Sequence, residues 1–127
     1  MISSVILQEG AAKVVKAITR KGVCLVREFI EEYPDAGERK KILRQIKDLA
    51  DNGPHPSRER FRVIENDMFE LKSYKIRILG FFLPDNVMLL THGCKKKKDD
   101  LDPQEIARAY HLFNDYKARL KVKGAQK

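Results

Sequence analysis

The chain predicts an α+β fold: a small curved antiparallel sheet with an N-terminal αα-hairpin on one face and a C-terminal helix, the other sheet face being free for a ligand. Three observations carry this. Apolar residues recur at helical spacing twice early on, at Val26, Phe29, Ile30 and Tyr33 and again at Ile42, Leu43, Ile46, Leu49 and Ala50. Between Phe61 and His92 the pattern changes to strand-length runs separated by turn residues. From Asp102 a capped helical stripe returns.

The elements follow in order. Ser4 to Gly10 reads either as a strand or as a loosely attached extension. Lys13 to Arg20 is β-branched and partly alternating, a strand closing at Lys21-Gly22. The first helix, within Val23 to Tyr33, is stopped by Pro34. Asp35 with Glu38 makes a capping-box start for the second helix, and Asn52-Gly53-Pro54 ends it. A loop over Pro54 to Glu59 leads to a strand at Phe61 to Ile64, a turn at Glu65-Asn66-Asp67 and a strand at Met68 to Tyr74. On that strand Phe69 and Leu71 share one face, and Met68, Glu70 and Lys72 the other. Lys75 to Leu83 is apolar on both faces except at Arg77, as a central strand would be. Pro84-Asp85-Asn86 turns the chain into a strand at Val87 to His92. Asp102-Pro103 with Glu105 resembles a second capping box, opening a helix whose stripe is Ile106, Ala109, Tyr110, Phe113 and Leu120.

The 127 residues are enough for one domain with a single core. With 26 Lys+Arg against 18 Asp+Glu the formal net charge is +8, which points to a polyanionic partner such as nucleic acid or the ribosome. Cys24 and Cys94 have no metal-type spacing, so a reducing compartment is expected and a disulfide scaffold or zinc site is not. No apolar run approaches a membrane span and no signal peptide is visible, which makes the cytoplasm the expected location.

The chemistry lies in cations. A strand interior seldom carries Lys72 or Arg77 unless that side is wet or holds an anion. Arginine's planar fork suits phosphate. The plainer alternative is a strand-edge lysine, with the arginine paired to Glu70 or another acid. Lys95, Lys96, Lys97 and Lys98 form a run directly after a strand and suit phosphate contact, although most such runs are solvated loops. Lys75 and the base-stacking candidate Tyr74 extend the surface. His92 meets the lysine run and, among basic neighbours, is expected to be neutral and able to take a proton. It could equally bond a backbone carbonyl. His55 and His111 lie elsewhere in the pattern. Phosphate-binding glycine loops, metalloprotease and nucleophile-elbow motifs and metal-type carboxylate clusters are all absent. An enzyme built on this chain is therefore expected to work without metal or other cofactor. RNA cleavage allows that, because its 2′-OH is the nucleophile.

The order of V-R-E-F-I (26–30), K-I-L-R-Q-I-K-D-L-A-D-N-G (41–53), F-E-L-K (69–72), I-R-I (76–78), L-L-T-H-G-C-K-K (89–96) and D-P-Q-E-I-A-R-A (102–109) resembles the RelE/ParE toxin superfamily, closest to its HigB-like, phage-derived branch. The resemblance covers Lys13 to Leu120. It implies a single RelE-like toxin domain at 13–120, with an N-terminal extension at 1–12 and a basic tail at 121–127. It further implies a type II toxin that cuts mRNA on the ribosome by 2′-OH attack without metal, restrained by a cognate helix-turn-helix, HigA-like antitoxin. The family's catalytic cations match Lys72, Arg77 and either Lys95 or Lys96. Departures fall at Lys72, where arginine is common, at Cys94, where an aromatic is usual, and at Leu79 and Gly80, where an aromatic is often seen. The competing expectations are a ParE-like gyrase inhibitor with the same fold, or a non-catalytic member that binds RNA or a partner.

Overall fold

A computed structural model describes residues 2–32, 35–96 and 101–125, with side chains as far as residue 120. The elements are β1 (Ile2–Glu9), β2 (Val14–Arg20), β3 (Val23–Cys24), α1 (Leu25–Glu32), α2 (Ala36–Asn52), β4 (Phe61–Glu65), β5 (Met68–Ser73), β6 (Ile76–Leu83), β7 (Val87–Lys95) and α3 (Pro103–Ala125). The sheet runs β1-β2-β7-β6-β5-β4, with β3 paired on β2, and it is open at β1 and β4. All pairings are antiparallel except β2 with β7, which is parallel. The α+β class with a curved, antiparallel-dominated sheet therefore stands.

Local chemistry explains the connections. Lys21 and Gly22 both take positive φ, which closes the β2–β3 hairpin in two residues. Asp85 and Asn86 also take positive φ, in the three-residue connection between Leu83 and Val87 that leads into β7. At α2 the Asp35 carboxylate accepts from the Glu38 N–H at 2.8 Å, and the Glu38 side chain accepts back from the Asp35 N–H. The N-terminal segment is strand rather than loose extension: β1 pairs with β2 along its length, and Ser4 Oγ lies 2.9 Å from the Tyr116 hydroxyl of α3.

The sheet has a core on each side. On one, Val26, Phe29 and Ile30 of α1 and Ile42, Ile46 and Leu49 of α2 cover Val15, Phe69, Ile78 and Leu90. On the other, Ala109, Leu112, Phe113 and Tyr116 of α3 pack on Ile18, Leu79, Phe81 and Leu89. This corrects the expectation of one free sheet face. The residues alternating with the first core are themselves apolar, so they need a cover of their own, and α3 supplies it. Phe81 and Phe113 stack with centroids 4.0 Å apart at that contact.

Other corrections are local. Val23 and Cys24 form β3 before the first helix starts. Leu43 is 48% exposed, because it sits about 100° round the helix from the sheet-facing Ile42 and about 60° from Ile46. Leu120 is 49% exposed near the end of α3. The backbone of the expected tail continues α3 as far as Ala125. Tyr33 and Pro34 lie outside the described residues.

Gly80 and Gly93 answer to space. A Cβ at Gly80 would lie 2.6 Å from both the Leu89 carbonyl oxygen and the Phe69 ring, and one at Gly93 would lie 2.4 Å from the Phe29 ring. The Leu89 carbonyl is backbone and cannot yield cheaply, so Gly80→Ala should lower stability by about 1–3 kcal/mol. Chemical denaturation would show this as a reduced midpoint with an unchanged slope.

Candidate functional site

The strand register assembles the cations. Arg62 stands opposite Glu70 across β4 and β5, Lys72 opposite Arg77 across β5 and β6, and Arg77 opposite Cys94 across β6 and β7. Alternation puts Arg62, Glu70, Lys72, Arg77, Cys94 and His92 on the α3 side of the sheet. They occupy the part of that side beyond the apolar α3 contact, next to the helix N-terminus.

Glu70 organises the group. It is 1% exposed. Its Oε1 accepts from Arg62 Nε at 2.9 Å and lies 3.9 Å from Lys72 Nζ, while its Oε2 is 3.8 Å from Arg77 Nε and has no hydrogen bond among the described residues. Three cations thus surround one carboxylate, and the patch keeps a positive surplus. Arg77, 6% exposed, donates through Nη1 to the carbonyls of Tyr74 and Ile76. Its Nη2 makes no hydrogen bond among the described residues. Burial pulls the Arg77 pKa below its ordinary value, against the opposing pull of Glu70. Lys72 donates to the Arg58 carbonyl at 3.1 Å. Its pKa is lowered too, by burial first, then by Arg77, Arg62 and Lys96, with Glu70 opposing.

That influence brings Lys96, partly exposed after β7, into the cluster. Lys95 is exposed and alternates with Cys94 along β7, so it points away from Arg77. Lys75 is exposed, and its carbonyl accepts from the Lys96 N–H at 2.6 Å. Tyr74 is 67% exposed with φ of 55°. Its hydroxyl accepts from Lys41 Nζ, which also lies 4.2 Å from the ring centroid. Lys97 and Lys98 lie outside the described residues. His55 caps its own loop, accepting from the Ser57 N–H at 3.0 Å, and the exposed His111 is 3.4 Å from Asp115. Neither belongs to the cluster.

His92 is neutral, as expected, and the reason is mainly burial. It is 1% exposed, and desolvation followed by the charge of Arg108 pushes its pKa down to about 4. Its tautomer follows from its neighbours. The Thr91 hydroxyl has one proton, and the Leu79 carbonyl 3.1 Å away can only accept it. The 3.2 Å contact of Thr91 Oγ1 with His92 Nδ1 must then be donated by Nδ1–H. Nε2 is left as a bare lone pair, buried without a hydrogen bond, 3.7 Å from Glu105 Oε2.

Glu105 departs from the expected capping box. At the start of α3, Asp102 Oδ1 accepts from the Gln104 N–H at 2.9 Å. The Glu105 side chain instead meets the sheet at His92 and Cys94. The Cys94 thiol is pushed up to about 12 by burial, then by the Glu105 charge and the hydrogen bond it donates to that carboxylate.

Sequence reasoning singled out Lys72, Arg77 and His92, but did not see Arg62 as a member or Glu70 as the centre. The signal for both was cross-strand distance through the Asn66 turn, which register alone fixes.

The profile of the family described as "Phage derived protein Gp49-like (DUF891)" matches residues 28–114, well over half of the chain. No curated protein matches. No helix among the described residues is long and apolar enough to cross a membrane.

The Thr91 hydroxyl serves two groups at once. Thr91→Val keeps its shape but strands the Leu79 carbonyl and the Nδ1–H of His92, so it should cost about 2 kcal/mol. Denaturant titration of the two proteins measures the difference.

Proposed function

The chain belongs to the Gp49-like, phage-derived family, which lies within the RelE/HigB-like group of type II toxins, and from that premise we propose that it is a ribosome-dependent endoribonuclease acting on mRNA. The observation that carries the reading is the cluster in which Arg62, Lys72 and Arg77 share the single carboxylate Glu70, with Lys96 beside them. A surplus of fixed positive charge suits a substrate whose reacting group is a phosphodiester.

In this reading the 2′-OH attacks the adjacent phosphorus. The O2′–P bond forms, the P–O5′ bond breaks, and the products are a 2′,3′-cyclic phosphate and a free 5′-OH. The 2′-OH must lose a proton and the leaving 5′-oxygen must gain one. Lys72 is the base, because desolvation and neighbouring cations favour its neutral form over that of an ordinary lysine. Arg77 offers Nη2 to a non-bridging oxygen, its orientation held by Glu70 and two carbonyls. Lys96, rather than Lys95, stabilises charge on the phosphate, since it is the lysine Lys72 senses. His92, sealed behind Glu105, takes no part in the proton route. Tyr74 and Lys75 lie exposed beside the cluster, where the flanking RNA would pass. The partner that restrains the protein is a cognate antitoxin.

The test is translation of a defined mRNA in an extract, with 5′ ends mapped by primer extension. Wild type should give cuts in the ribosomal A site, and Lys72→Gln should reduce them about 100-fold or more while folding normally. Intact mRNA with wild type would overturn the nuclease reading and favour protein contact with gyrase, for which supercoiling inhibition is the readout.

A further inference from the structure

We propose that His92 Nε2, Cys94 Sγ and a Glu105 carboxylate oxygen form a binding site for one zinc ion. The three donor atoms lie within 4.8 Å of one another, and no other such grouping of three occurs among the described residues. His92 and Cys94 are i and i+2 on β7, hence on one face of the strand, and the first turn of α3 brings Glu105 across to them. Zinc takes imidazole nitrogen and carboxylate oxygen at about 2.0–2.2 Å and thiolate sulfur at about 2.3 Å, so tetrahedral donors stand about 3.4 Å apart. The 3.7 Å from His92 Nε2 to Glu105 Oε2 is within a few tenths of an ångström of that.

The second observation is the orphaned nitrogen. The Cys94 sulfur and the Glu105 carboxylate lie within 4.8 Å of Nε2, yet neither gives it a hydrogen bond. Nε2 is a buried lone pair facing a carboxylate and a sulfur, which is an unfavourable arrangement unless an electrophile sits among them. Its tautomer is already the one a metal needs. Nδ1–H is donated to Thr91 Oγ1, whose own proton goes to the Leu79 carbonyl, and such an outer bond fixes ring direction and leaves Nε2 as ligand.

The charges close. A dication with one thiolate and one carboxylate is neutral overall, which offsets the repulsion from Arg108. On binding, the Sγ–H proton leaves to solvent and an Sγ–Zn bond replaces it, with no change of oxidation state. Mixed nitrogen, sulfur and oxygen donors select zinc over magnesium or calcium. Three protein ligands leave a fourth position for water or an added anion.

The reduced full-length protein, stripped by chelator, is titrated with Co²⁺ and then with Zn²⁺. One Co²⁺ per chain should bind, giving thiolate-to-cobalt absorption that Zn²⁺ displaces, and the thermal midpoint should rise with added Zn²⁺. Cys94→Ser should abolish the band, while serine at Cys24, the other cysteine, should leave it intact. Glu105→Gln is nearly isosteric at a partly exposed position and should weaken binding at least about tenfold, and Thr91→Val about 10–100-fold. Absence of a saturable band, survival of the band in Cys94→Ser, or equal affinity in Glu105→Gln and wild type would each overturn the proposal. The titration reads metal alone, so its outcome is independent of mRNA cleavage.

Discussion

A buried carboxylate is tolerable only where cations and hydrogen bonds replace its lost water, and Glu70 shows how far that need can shape a surface. At 1% exposure it draws Arg62 in from the edge strand, Lys72 from its own strand and Arg77 from the centre of the sheet. Arg77 answers the same need from its side, since a guanidinium on a central strand has little water and takes Glu70 and two carbonyls in its place. Neither group would be stable there alone. Together they hold a positive surface on rigid strands rather than on loops, and geometry at a phosphate is most easily kept that way.

The second organising contact is the docking of α3. Its apolar stripe covers Ile18, Leu79, Phe81 and Leu89 on the sheet face on which Glu70 lies, and its first turn reaches that face at His92. It also brings Glu105 to His92 and Cys94, which sets three donor atoms close together beside the cations. The cations and these donors share a wall, because Arg77 stands opposite Cys94 in the strand register.

Much of this was legible in the residues. The α2 cap at Asp35 and Glu38, the turns at Lys21-Gly22 and Pro84-Asp85-Asn86, and the central position of β6 all follow from local chemistry and alternation, and all are present. The failures are non-local. Nothing near Ser4 distinguishes a paired edge strand from an extension, since the deciding partner is β2. The cover of the second face by α3 depends on where a helix docks, not on its stripe. Asp102 and Glu105 fit a capping box as well as Asp35 and Glu38 do, yet one glutamate turns back to its cap and the other to a strand. The pairing of Arg77 with Glu70 was readable as an alternative to phosphate contact, and that pairing is present, with Nε toward the acid and Nη2 without a hydrogen bond among the described residues. The need for glycine at position 80 was not legible either, because it comes from the Phe69 ring and the Leu89 carbonyl, which fill the space that a side chain would take.

The dependence of the cation cluster on Glu70 is tested most directly by a double-mutant cycle on stability, combining Glu70→Gln with Arg77→Met. If the carboxylate and guanidinium hold each other in place, the second substitution should cost far less once the first is made, with a coupling energy of about 1–3 kcal/mol. Additivity within about 0.5 kcal/mol would mean that Glu70 and Arg77 are merely neighbours, and that the cluster has no common centre.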